Sequence, residues 1–177
     1  TIFFPLKILL SLQLFGYQTN ALLLPIITSH LILFIFCFLI IKDLFKPKTK
    51  LLELLILFSV FLIVILDPTV FGYYHVLLTE YLAATIAIIS CYLAIRIYKA
   101  RFFSKEFIVL SVLLVILVPI AWHIKQPYVG AALFPLVIVC LLIIFRHFAW
   151  KTIFFSALTI STAALVVFLS NLAWDNF

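Results

Sequence analysis

Long apolar runs, broken at short intervals by charged or turn-forming residues, dominate the pattern along this chain. Six of them lie at roughly 21–41, 51–68, 73–95, 107–124, 129–145 and 152–170. Each approaches the roughly 20 residues that a helix needs to cross a hydrocarbon core of about 30 Å. The runs are apolar all round, with neither the polar stripe of a surface helix nor the two-residue alternation of a barrel strand. They therefore predict helices in lipid, where every backbone N–H and C=O must find its partner within the segment. The stretch 2–16 is apolar too, but it carries Pro5 and Lys7 and ends at Gly16. It reads as the tail of a seventh helix or as an interfacial helix, and no small-residue cleavage site of a signal peptide follows it. The expected fold is all-α, a polytopic transmembrane helix bundle of six spans plus this N-terminal segment, with residues 1–177 forming one transmembrane domain.

Composition agrees with the pattern. Of 177 residues, 68% are hydrophobic and 10% charged, and the mean hydropathy is +1.40. A soluble domain is about half apolar and about a quarter charged, so water could not accommodate this surface. The chain has 3 Gly, and neither a dinucleotide fingerprint nor a phosphate-binding P-loop occurs. Pro25, Pro119, Pro127 and Pro135 are expected in or near helix ends, where a missing N–H costs least.

Charge adds a direction. Lys42, Lys46, Lys48 and Lys50 share one connection, Arg96, Lys99, Arg101 and Lys105 another, and Arg146 and Lys151 a third. Ten of the 12 Lys and Arg residues thus alternate onto one side. The positive-inside bias places 42–50, 96–106 and 146–151 in the cytoplasm, and 67–75 and 122–128 on the extracytoplasmic side. The net charge of +6 is then a topology signal, and nucleic acid is not an expected partner, because the cations do not share a soluble face. Membrane lipid is the expected surrounding; oligomeric state is not legible.

The extracytoplasmic connections gather Asp67, His75, His123, Lys125, Gln126 and Asp175 with Tyr73, Tyr74, Trp122, Tyr128 and Trp174. The aromatics fit an interfacial belt. Cys37, Cys91 and Cys140 fall inside spans without CxxC spacing and read as small apolar side chains. The four His residues are scattered with no HxxxH or HExxH spacing, so no metal site is expected.

Glu80 stands out, about two turns into the expected span 73–95. An ionisable group there costs roughly 2–3 kcal/mol at mid-membrane and normally faces a partner or a cavity. Positions 80, 83, 84, 87 and 91 are Glu, Ala, Ala, Ala and Cys, a small-residue stripe that suits close helix approach. That face is expected to point into the bundle, with Glu80 near His75 or Lys125. The plainer alternative is a Glu that snorkels to the interface or pairs two helices. Lys125-Gln126 offers a cation and amide donors to a lipid phosphate, or else a Lys that simply snorkels.

The order of these features resembles a known class. Asp67-Pro68 ends a span, an aromatic connection follows, and Thr79-Glu80 opens an Ala-rich helix. Lys125-Gln126 comes one hairpin later, and Trp174-Asp175-Asn176 closes the chain. Over roughly 55–177 this is similar to GT-C class multispan membrane glycosyltransferases that use polyprenyl-phosphate-linked sugars. The resemblance implies transfer on the extracytoplasmic face from a lipid-linked sugar donor, with Lys125 and Gln126 near the phosphate and Glu80 and His75 lining the substrate cavity. The leaving phosphate would need basic side chains or a divalent cation. The catalytic acid of the class usually sits in a large first external loop, whereas here the external connections are short. It is therefore expected outside this chain, and the chain itself as part of a longer one. Two other classes remain open: a transporter with Glu80 as an ion relay, and a structural subunit of a membrane complex.

Overall fold

The computed structural model describes residues 9–10, 12–14, 19–65, 78–124, 126–147 and 149–175, with side chains described at 27–64, 82–124, 127–147 and 149–172 within these and at the first two short stretches. The described elements are helices: α1 (Thr19–Phe45), α2 (Lys50–Ile65), α3 (Leu78–Lys99), α4 (Lys105–Ile124), a 3₁₀ turn (Gln126–Tyr128), α5 (Val129–His147) and α6 (Trp150–Asp175). The chain forms two compact units, Thr1–Ile89 and Ser90–Phe177.

In the first unit, local chemistry sets the helix ends. Lys46 adopts φ 45° and its N–H donates to the Lys42 carbonyl at 3.0 Å, a left-handed cap closing α1. Pro47 follows and cannot extend that helix. Thr49 then caps α2, its Oγ1 accepting from the Leu52 N–H at 3.3 Å, and satisfies a donor that the first turn leaves open. The short connection folds α1 and α2 back on one another as a hairpin. Phe34 and Phe61 meet edge-to-face at 5.8 Å, and Lys42 Nζ reaches Glu53 Oε1 at 2.5 Å. Further along, the Thr85 hydroxyl of α3 donates to the Ser29 carbonyl of α1 at 3.4 Å.

The second unit packs α4 against α5 and α6, and α5 against α6. Its buried positions recur at alternating steps of three and four. On α4 they are Phe107, Ser111, Leu114, Val118 and Ala121; on α5, Ala132, Leu136, Val139 and Ile143; on α6, Thr152, Ser156, Thr159 and Ala163. The α6 stripe is made of small and hydroxyl-bearing residues. Lipid is as apolar as Leu, so helices associate by close packing, and small side chains permit it. The buried hydroxyls of α4 and α6 do not go unmet. Ser111 and Thr159 donate to the carbonyls of Phe107 and Phe155 at 2.8 Å, and Ser156 reaches the Cys140 carbonyl on α5 at 3.5 Å.

Several expectations need correction. Among the described residues, five helices are long and apolar enough to cross a membrane. The expected span 51–68 falls on α2, which is described over 16 residues; residues 66–77 lie outside the described residues. Pro119 and Pro135 lie inside helices and are buried. Neighbouring helices shield the backbone there, so a proline is tolerated away from a helix end. On α3 the buried positions are Ala83, Thr85, Ile86, Ser90, Leu93 and Ile97, while Ala84 and Cys91 are exposed. Of the expected stripe Glu80, Ala83, Ala84, Ala87 and Cys91, Ala83 is buried as expected, Ala87 is half-buried and Ala84 and Cys91 face outward, so the inward face is rotated from it. Much of the segment 2–16 lies outside the described residues.

Length, apolar character and all-α packing make this an integral, multi-pass membrane protein. Ala163 is fully buried on α6 and Ala164, beside it, is exposed. Ala163→Leu should therefore destabilise the protein by about 1–3 kcal/mol through overpacking, and Ala164→Leu by less than about 0.5 kcal/mol. Reversible unfolding in mixed micelles with a denaturing detergent measures both.

Candidate functional site

The two ends of the second unit differ in chemistry. At one end α3 and α5 finish, and α4 and α6 begin. Arg96 forms an ion pair with Glu106 across the α3–α4 connection and also meets the Tyr92 hydroxyl at 3.3 Å. Arg146 on α5 donates to the Tyr98 carbonyl at 2.8 Å, and its guanidinium lies 5.2 Å from the centre of the Tyr98 ring. That contact joins the 96–106 and 146–151 segments directly. Several of the basic residues belong to helix ends rather than loops: Arg96 and Lys99 close α3, and Lys105 opens α4. A cation at a helix C-terminus meets the negative end of the helix dipole. Beneath them Phe102, Phe103, Phe107 and Phe155 form an aromatic cluster with ring centroids 4.3–6.4 Å apart. Phe103 holds φ 59°, an unusual conformation for an aromatic residue.

At the opposite end the Trp122 indole N–H donates to Asn171 Oδ1 at 2.6 Å. Trp122 and His123 sit in the last turn of α4, and Asn171 within α6. The expected external loops 122–128 and 171–177 are therefore largely helical, α4 reaching Ile124 and α6 reaching Asp175. Apolar surroundings favour continuing the helix, which satisfies its own backbone, over opening a loop. Among the described residues of these segments only Gln126–Tyr128 departs, as one 3₁₀ turn between α4 and α5.

The predicted site residues are distributed as follows. His75 and Lys125 lie outside the described residues. Glu80 is the third residue of the described α3, and Gln126 opens the 3₁₀ turn; the side chains of both lie outside the described set. Glu80 belongs to the first unit and Gln126 to the second. Among the described residues, no three His, Cys, Asp or Glu side chains group as a metal site. Cys37, Cys91 and Cys140 are free thiols.

The Trp122–Asn171 bond was not foreseen. Both residues belong to the expected external side, so their proximity in depth was legible. Their partnership depends on α4 packing against α6, which periodicity does not specify.

Two outcomes follow. In a double-mutant cycle, Trp122→Phe and Asn171→Ala should couple by about 0.6–1.7 kcal/mol, the range for interhelical hydrogen bonds in lipid. Coupling near zero would mean that the bond is not formed in the membrane. With the three native cysteines changed to serine, Arg101→Cys should label only from the cytoplasmic side and Gln126→Cys only from the other. Labelling of both from one side would reject the orientation read from charge.

Comparison with protein-family models, with curated proteins and with solved structures finds no match for this chain.

Proposed function

We propose that this chain is a membrane-embedded part of a glycosyltransferase that takes a sugar from a polyprenyl-phosphate donor on the face opposite the basic connections. The order Thr79-Glu80, Lys125-Gln126-Pro127 and Trp174-Asp175-Asn176 carries the resemblance. The geometric observation that supports it most is the Trp122–Asn171 bond, which ties the ends of α4 and α6 together beside the Gln126–Tyr128 turn. Polar groups are thereby held at the end of the second unit remote from Arg96 and Arg146.

In the proposed reaction an acceptor's nucleophilic atom attacks the sugar's anomeric carbon. The bond from that carbon to the phosphate oxygen breaks, and the lipid phosphate leaves with the electron pair. A carboxylate removes the acceptor's proton. Lys125, with Gln126, stabilises the departing phosphate, as a divalent cation could also do. Glu80, with His75, lines the sugar side. The catalytic acid of the class is expected upstream, in a longer chain.

A photoreactive polyprenyl phosphate tests the binding step in reconstituted full chain. Labelling should concentrate near residues 122–128, and Lys125→Ala should reduce it several-fold. Where transfer is measurable, Lys125→Ala should lower the rate roughly a hundredfold. Labelling that is indifferent to Lys125→Ala would sink the reading. It would favour a structural subunit, a role to which the interhelical Thr85–Ser29 and Ser156–Cys140 bonds are also suited.

A further inference from the structure

The α1–α2 hairpin carries an open groove of about 390 Å³ lined by Phe34, Leu54, Leu57, Phe58 and Phe61, with almost no polar atom on its walls. Register leads this groove to the basic connection on both helices. On α2, Lys50 lies one turn before Leu54, so that Lys50, Leu54, Leu57, Phe58 and Phe61 follow one face. On α1, Phe34 and Phe38 lead at four-residue steps to Lys42, whose ammonium stands 5.8 Å above the Phe38 ring.

The mouth is not electrically neutral. Lys42 and Glu53 satisfy one another, and Asp43 is engaged elsewhere. Lys46, Lys48 and Lys50 are exposed and form no ion pair among the described residues. From Lys50 to Phe61 the helix rises about 16 Å, close to half of the roughly 30 Å hydrocarbon core, which is the depth of one leaflet.

We propose that this groove and its lysines bind one anionic phospholipid of the leaflet that the basic connection faces. An acyl chain lies along Phe34, Leu54, Leu57, Phe58 and Phe61, and the phosphate sits at Lys50, with Lys46 and Lys48 beside it. Two features select this occupant over a bare anion or a second protein helix. From the cation at Lys50 to the far end of the apolar wall at Phe61 the face is about one leaflet deep, and the cations stand only at its headgroup end. A basic cluster at a helix end attracts anionic headgroups, but here it continues into a fitted apolar channel. The site is independent of the glycosyltransferase reading, since it lies at the basic end of the first unit and uses none of the residues assigned there.

Native mass spectrometry of the full chain, released from nanodiscs of mixed phosphatidylglycerol and phosphatidylcholine, provides the test. The protein should retain one phosphatidylglycerol in preference to phosphatidylcholine. Lys50→Ser should lower that preference about fivefold, and Lys46→Ser, Lys48→Ser and Lys50→Ser together should abolish it. Leu57→Trp, which fills the groove, should reduce retention of both lipids. Far-UV circular dichroism and the unchanged Trp122–Asn171 coupling serve as folding controls. Equal retention of the two lipids by the unmodified chain would overturn the proposal, as would retention unaffected by Leu57→Trp in a folded protein. So would displacement of phosphatidylglycerol by millimolar glycerol phosphate, because the groove would then contribute nothing.

Discussion

Close approach of helices through small side chains is the interaction on which the second unit depends. In lipid, removing Leu or Phe from the solvent gains little, since the solvent is itself hydrocarbon. What holds α4, α5 and α6 together is dense contact, and density requires somewhere for backbones to come near. Thr152, Ser156, Thr159 and Ala163 supply that surface on α6, and the larger Phe107, Leu114, Val118 and Leu136 fill the space around it from α4 and α5. Each hydroxyl on the stripe can donate to a carbonyl of its own or a neighbouring helix, so the polar atom is not stranded in an apolar medium.

This constraint also explains the distribution of the remaining polar groups. Charges are expelled from the packed interior toward helix ends, where they meet water, headgroups and the helix dipoles. Arg96 and Arg146 then act locally, one closing the α3–α4 connection onto Glu106 and the other joining α5 to the end of α3. At the far end the indole–amide bond of Trp122 to Asn171 does corresponding work. The first unit is organised differently. Its α1–α2 hairpin draws on capping at Lys46 and Thr49, the edge-to-face pair of Phe34 and Phe61 and the ion pair of Lys42 and Glu53, and leaves a channel of apolar wall open beside basic residues.

Much of this was legible before any coordinates. The apolar runs marked the helices within a few residues, because twenty uncharged residues in a row have no other stable fate in a bilayer. The spacing of Lys and Arg correctly grouped 96–106 with 146–151, which the Arg146–Tyr98 bond bears out. The α3 stripe was legible only in part. Small side chains predict the inward face, yet Ile86, Leu93 and Ile97 are buried beside Ala83 and Ser90, and Ala84 and Cys91 face outward. Residue size says that a helix can approach, while the partner's position decides from which side.

The membrane-spanning character of this protein was therefore determined by sequence alone, since it follows from hydropathy and length, which are properties of each segment by itself. The same is true of the turn at Lys46-Pro47 and of the cap at Thr49, whose causes lie within a few residues. Tertiary structure alone decided that α6 presents its hydroxyl stripe to α4 and α5, that Trp122 meets Asn171 forty-nine positions away, and that Phe34 and Phe61 border a common groove. These are relations between helices that are largely apolar all round, so that even the hydroxyl stripe of α6 does not name the helix it meets. A uniformly apolar surface carries no pattern that names its neighbour, and only packing supplies one.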